Sequence, residues 1–144
     1  MNIEELKNIY ASCELDGNKI CVKNEFHDLI SFIKNNYSFK MLKSITAIDL
    51  GENVELLYHL YSVEDEENVI LSQKVQDTAE SIIDIYESAR ADENEIYDMF
   101  GIQFNGNKDL RRLYMPENWQ GHPLRKDYVQ DDTRLVWNDN SDNA

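Results

Sequence analysis

Between residues 39 and 75 the chain changes period in a way that leaves few folds open. Val54, Leu56, Tyr58 and Leu60 alternate with Glu55, Leu57, His59 and Tyr61, and the alternation resumes through Val69, Leu71, Gln73 and Val75. Before them, residues 39–50 are rich in Ile, Thr and Leu and stop at Gly51. Alternation at period two is the mark of a half-buried strand. The links between these three runs are too short for a parallel crossover, so consecutive strands must pair antiparallel. The second link places Glu64, Asp65, Glu66 and Glu67 at a hairpin tip, a solvated turn whose charge discourages edge-to-edge pairing.

A sheet with one apolar face needs a cover, and the flanking sequence supplies helical patterns. Ile3, Leu6, Ile9 and Tyr10 fall at helical spacing. Asp16-Gly17-Asn18 reads as a turn before a brief strand over residues 19–23, after which Asn24 is a candidate cap. Phe26, Leu29, Ile30, Ile33 and Tyr37 then make the apolar stripe of a helix of about three turns. Asp77 with Glu80 resembles a capping box, and Ala79, Ile82, Ile83, Tyr86 and Ala89 predict a helix behind it. A second box, Asp92 with Glu95, predicts a short helix from Glu93 that buries Ile96, Met99 and Phe100 and stops at Gly101, with Ile102 folding back on Tyr97. The expectation is an α+β fold: a single domain over residues 1–104, with a mainly antiparallel sheet and helices on one face. An extended C-terminal arm over residues 105–137 follows, and the Asn/Asp-rich residues 138–144 read as a disordered tail.

Charge narrows the function classes. The 144 residues carry a net charge of −14, which argues against nucleic acid, because phosphate binding needs clustered Lys and Arg. No apolar run reaches the ~20 residues of a membrane span, and the N-terminal residues lack a signal-peptide pattern, so the expected location is cytoplasmic. Cys13 and Cys21, with His27, His59 and His122, form neither CxxC nor HxxxH spacing. Two thiols also fall short of the usual four that hold an iron–sulfur cluster.

The arm is the part that a fold alone does not explain. Phe104, Leu110, Leu113, Tyr114, Met115, Trp119, Leu124 and Tyr128 recur without helical or strand period, among Arg111, Arg112, Pro116, Gly121, Pro123, Arg125 and Lys126. Long irregular segments in compact domains are usually functional, and aromatics interleaved with arginine make interface anchors. The residues expected to dock on partners are Arg111, Arg112, Trp119, His122, Pro123, Arg125, Lys126 and Asp127.

Three ordered blocks run through this region: ENEIYDMFGIQF over residues 93–104, DLRRLYMP over 109–116 and WQGHPLRKDY over 119–128. Together they resemble the signature of the 30-kilodalton subunit family of respiratory complex I. That family includes the equivalent small subunit of energy-converting [NiFe] hydrogenases. Two departures stand out: Asn94 sits where the family usually has Arg, and Gly106-Asn107-Lys108 replaces Gly-His-Pro. The resemblance implies a non-catalytic scaffold subunit with no cofactor or metal of its own. It would brace hydrogenase-like large and small subunits near the electron path of a membrane-associated redox complex, with an iron–sulfur subunit as a further candidate partner. Iron–sulfur clusters, and nickel-iron in a hydrogenase, would then lie in the partners, and this chain would be peripheral on the cytoplasmic side. The short length favours the compact hydrogenase type. Two readings stand beside it. One is a free-standing acidic binding module; the other is an enzyme using His122 and Asp127 beside Arg125, for which the loop sequence supplies no evident pocket.

Overall fold

The computed structural model describes residues 1–129. Its elements, in order, are helix α1 (Ile3–Ile9), strands β1 (Cys13–Asp16) and β2 (Lys19–Val22), helix α2 (Phe26–Tyr37), strands β3 (Met41–Asp49), β4 (Val54–Ser62), β5 (Glu67–Val75) and β6 (Thr78–Glu80), helix α3 (Ala89–Phe100) and strand β7 (Gln103–Asn105). Five strands form one sheet in the order β1-β2-β5-β4-β3, and β6 and β7 form a parallel pair of their own. The meander β3-β4-β5 is antiparallel throughout, as the short links require. Within the larger sheet the β2–β5 pair is parallel, and the crossover this demands consists of α2 and the meander itself. The fold is therefore α+β with a mainly antiparallel sheet.

The core lies on one sheet face. Val54, Leu56, Tyr58 and Leu60 of β4 are fully buried there with Leu71 of β5, and they meet Leu29, Ile30 and Ile33 of α2. Burying each such side chain contributes roughly 1.5–3 kcal/mol. Phe26 packs on Tyr58 with ring centroids 4.5 Å apart, and Gln73 satisfies the buried Tyr58 hydroxyl at 3.0 Å.

The structure corrects the sequence reading at four places. Strand β1 is an addition to the expected elements; it pairs with β2 around a two-residue turn at Gly17-Asn18. The residue at the start of α2 is Glu25, in left-handed geometry and with no side-chain cap bond, so Asn24 does not cap the helix. The helix expected around residues 79–89 is absent. Ala79 instead pairs with Phe104 across β6 and β7, and Ile82 and Tyr86 bury themselves in a single turn closed by Tyr86 N–H to Ile82 C=O at 2.8 Å. Finally, α3 begins at Ala89, so Asp92 sits inside its first turn rather than at a cap. The Asp92 carboxylate accepts the Ile45 N–H of edge strand β3 at 3.0 Å, and Glu95 is exposed. The expected stop is where the sequence put it: Gly101 has φ +77° and donates its N–H to the Tyr97 carbonyl at 2.9 Å. The tail assigned to residues 138–144, and arm residues 130–137, lie outside the described residues.

Candidate functional site

Beyond β7, residues 106–129 form no helix or strand. They are nevertheless tied to the domain by two buried carboxylates, Asp98 of α3 and Asp49 at the end of β3.

Asp98 is fully buried. Its Oδ2 accepts three consecutive backbone N–H groups, from Leu113 at 3.1 Å, Tyr114 at 2.7 Å and Met115 at 3.1 Å. Its Oδ1 accepts from Arg112 Nη1 at 3.0 Å. The Nη2 of the same guanidinium donates to the carbonyls of Trp119 and Gly121, at 2.9 and 3.0 Å. One buried ion pair thus gathers residues 112–121 around a single oxygen cluster. Successive N–H groups wrapped on an anion are a backbone nest. Burial alone would raise the Asp98 pKa, but the N–H groups of Tyr114 and Met115, the Arg112 guanidinium and the Leu113 N–H together hold it below the usual carboxylate range.

Asp49 repeats the device on a smaller scale. It accepts the Lys126 N–H at 2.8 Å and the Gly51 N–H at 2.9 Å, with Arg125 Nε 3.5 Å away. Those two backbone donors lead in holding its pKa low. Between the two carboxylates, Leu124 N–H bonds the Met99 carbonyl at 2.9 Å. The His122 Nδ1 lies 2.9 Å from the Asp98 carbonyl, which can only accept, so the proton sits on Nδ1.

The start of the segment is fastened by buried polar side chains. Asn94 Oδ1 accepts the Arg111 N–H at 3.3 Å. Glu93 is fully buried and takes three donors: Ser81 Oγ at 2.8 Å, Ile82 N at 2.9 Å and Asn107 Nδ2 at 3.0 Å. Burial is the leading influence on Glu93 and raises its pKa. Asn94 and Asn107, the two departures from the signature, both lie in this junction and are both buried.

The residues singled out by sequence separate into three groups. Arg112 turns inward onto Asp98. Trp119, His122, Pro123 and Arg125 are half-buried, and Trp119 Nε1 donates to the Tyr128 hydroxyl at 3.2 Å. Arg111, Lys126 and Asp127 are exposed. His122, Arg125 and Asp127 do share a groove of about 500 Å³ with Asp77 and Gly101. The hydrogen bond of His122, however, goes to the Asp98 carbonyl. Sequence reasoning missed Asp98, Asp49 and Glu93. For Asp98 a signal existed: Asn94 and Asp98 are one helical turn apart on a face that the apolar stripe leaves unexplained.

Fastening the backbone leaves side chains turned out. Leu113 is 44% exposed, Tyr114 68% and Leu124 55%. The segment is a pre-ordered surface with an apolar, arginine-flanked exterior.

An acid limb in the stability profile follows. Asp98 and Asp49 both have folded-state pKa values below their unfolded ones, so their contribution is complete above about pH 4 and is lost as pH falls through the depressed values. Glu93 has the opposite sign: its raised pKa favours the folded state at low pH, and that gain disappears as pH rises. We expect stability in denaturant melts to decline below about pH 4, and Asp98→Asn to flatten that decline. A variant with an unchanged acid limb would show that Asp98 is not its source.

Comparison with known proteins agrees with the signature. The family described as "Respiratory-chain NADH dehydrogenase, 30 Kd subunit" matches residues 20–134. The C subunit of NADH-quinone oxidoreductase from Geobacter sulfurreducens is 36% identical over 108 residues, covering 70% of this chain and 67% of that protein. Its counterpart in Trichlorobacter lovleyi is 37% identical over 114 residues, covering 74% and 70%. The C/D subunit of the Phocaeicola vulgatus NADH-quinone oxidoreductase is 34% identical over 109 residues, which are 72% of this chain but 21% of that protein. Among solved structures, a chain of the membrane-bound sulfane sulfur reductase, an archaeal respiratory membrane complex, superposes with a TM-score of 0.77 over 94% of this chain and 88% of its own length. At 22% identity that likeness is one of fold.

Proposed function

We propose, from the premise that this chain belongs to the respiratory-chain NADH dehydrogenase 30-kilodalton subunit family, that it is a non-catalytic bracing subunit of a respiratory membrane complex of the NADH-quinone oxidoreductase kind. Its partners in this reading are the hydrogenase-like large and small subunits of the same complex, and the iron–sulfur clusters belong to those partners. An energy-converting hydrogenase would use the chain in the same way. Among the described residues no helix is long and apolar enough to cross a membrane, so attachment in this reading runs through the other subunits.

The observation that carries the proposal is the clasp. A segment ordered in advance loses little conformational entropy when a partner covers it, and that lowers the cost of binding. Here Asp98 and Asp49 hold the backbone of residues 112–126, while Leu113, Tyr114 and Leu124 face outward. Aromatic anchors flanked by arginine carry most of the energy in protein interfaces.

The test is affinity purification of the tagged chain under gentle detergent extraction. Wild type is expected to bring the other subunits with it. Tyr114→Ala is expected to weaken assembly by more than about 1 kcal/mol. It should leave the melting temperature of the isolated chain unchanged, because Tyr114 lies outside the core cluster. Purification of the wild-type chain alone would overturn the proposal. So would a Tyr114→Ala chain that assembles as well as wild type together with a Leu113/Leu124 double alanine variant that also does.

A further inference from the structure

The second face of the five-stranded sheet departs from what an open face usually carries. An antiparallel sheet covered on one side normally alternates apolar-in with polar-out. The ladder registers place Met41, Ile48, Leu57, Tyr61 and Ile70 on the side away from the core. Met41 is 46% and Ile48 42% exposed, and the other three are half-buried. An open hollow of about 300 Å³, lined by Lys43, His59 and Ile70, lies among them. Apolar side chains recurring among the polar ones on an uncovered sheet face mark a candidate interaction surface.

The charges on this face differ from those on the rest of the chain. Among the described residues it holds four lysines, Lys19 and Lys74 by ladder register and Lys23 and Lys43 by their contacts with Glu14 and with Asn68 and Tyr61, against three carboxylates, whereas the whole chain carries −14. Each carboxylate is already committed to a lysine: Glu55 to Lys19 at 2.6 Å, Glu14 to Lys23 at 2.9 Å and Asp16 to Lys19 at 3.9 Å. Glu55 is buried, and its Oε1 accepts from both Lys19 and the Ser72 hydroxyl, the latter at 2.5 Å. Among the described residues Lys43 has no carboxylate within ion-pair distance; it bonds Asn68 Oδ1 at 3.1 Å and lies 5.0 Å from the Tyr61 ring centroid. Lys74 is exposed, opposite Glu55 across the ladder.

We propose that this face is a second docking surface, distinct from the clasped segment, and that its occupant is an acid-bearing, partly apolar protein surface on another subunit of the same complex. The inference rests on the bracing role proposed above. Complementary charge favours an acidic partner, since Lys43 and Lys74 offer cations without a full complement of anions. The five interleaved apolar side chains favour a protein over a polyanion, whose phosphates need many more cations than this face supplies. With both surfaces in use, the chain is held from two sides, as a brace must be.

Zero-length carbodiimide cross-linking of the purified complex tests this, because the reagent joins a lysine amine only to a carboxylate in direct contact. The expected result is a link from Lys43 or Lys74 to an Asp or Glu of another subunit. A Lys43→Gln/Lys74→Gln chain, which adds no carboxylate opposite Glu55, is then expected to recover at least fivefold less of the subunit so linked, with a melting temperature close to that of wild type. The proposal is overturned by links that run only to this chain's own acids, residues 130–144 included, by links to a second copy, or by no link at all. The two readings fail separately. A wild-type chain that purifies alone removes the bracing role, whereas a wild-type chain that assembles without these links removes only the sheet-face surface.

Discussion

Asp98→Ala should release residues 112–115 from α3 while leaving the sheet folded. The substitution leaves the Arg112 side chain, 10% exposed, without its carboxylate and removes the acceptor for three backbone N–H groups at once. Breaking one partner of a buried ion pair costs about 3–5 kcal/mol, because the remaining charge stays desolvated. For a chain of this size that corresponds to roughly 10–15 °C in melting temperature if the loss is felt globally. The contacts make a more local outcome the expected one. All of the lost bonds run between α3 and residues 112–115, and none reaches the β4–β5 ladder. Hydrogen exchange separates the two outcomes. The Leu113, Tyr114 and Met115 amides should lose at least tenfold in protection, while ladder amides such as those of Leu56 and Leu71 keep theirs. Wild-type protection at residues 113–115 in the variant would mean that Asp98 does not hold the segment. A double-mutant cycle with Arg112→Met adds a check: in the Asp98→Ala background the second substitution should cost little, since the guanidinium has already lost its carboxylate.

The clasp also explains which parts of the molecule are legible in the sequence. Strands β3 to β5 are, because their alternation is local and their links are too short to allow any other pairing. Helix α2 is, because its apolar stripe repeats at helical spacing over three turns. Strand β1 is not, because it buries only Cys13 and shows no alternation. The segment after β5 misleads for a related reason. Ile82 and Tyr86 have true helical spacing and do close one turn, but the chain around them is claimed by partners far along the sequence. Ser81 N–H goes to the Asn105 carbonyl, and Ile82 N–H to the Glu93 carboxylate. Asp92 has the pattern of a cap and misleads in the same way; its acceptor role is filled by a strand 47 residues earlier. In the arm, the pattern of residue types is visible, but the direction of each side chain is not. Arg111 and Arg112 are adjacent, yet one is exposed and the other is sunk onto Asp98. What distinguishes them is a carboxylate 14 residues from Arg112, and no local rule registers that.

Gly101→Ala should destabilise the chain by about 2–4 kcal/mol, more than a helix stop alone predicts. The first part of the cost is conformational: at φ +77° an alanine carries the left-handed penalty of about 1–2 kcal/mol. The second part comes from the clasped segment. A Cβ at Gly101 would lie 2.6 Å from His122 Cδ2 and 2.8 Å from its Nε2, closer than any relaxed contact permits. The imidazole cannot simply rotate away, because its Nδ1–H is bonded to the Asp98 carbonyl; displacing it forfeits that bond, worth about 0.5–1.5 kcal/mol, and shifts the neighbouring Leu124 off the Met99 carbonyl. The two parts separate in a His122→Ala background. There the clash with the imidazole is gone, and Gly101→Ala should cost only the conformational part, about 1–2 kcal/mol. Equal costs in both backgrounds would show that the glycine serves the helix stop alone. A smaller cost without His122 would show that the same glycine also makes room for the arm, so that the end of α3 and the seating of residues 121–124 are one structural decision.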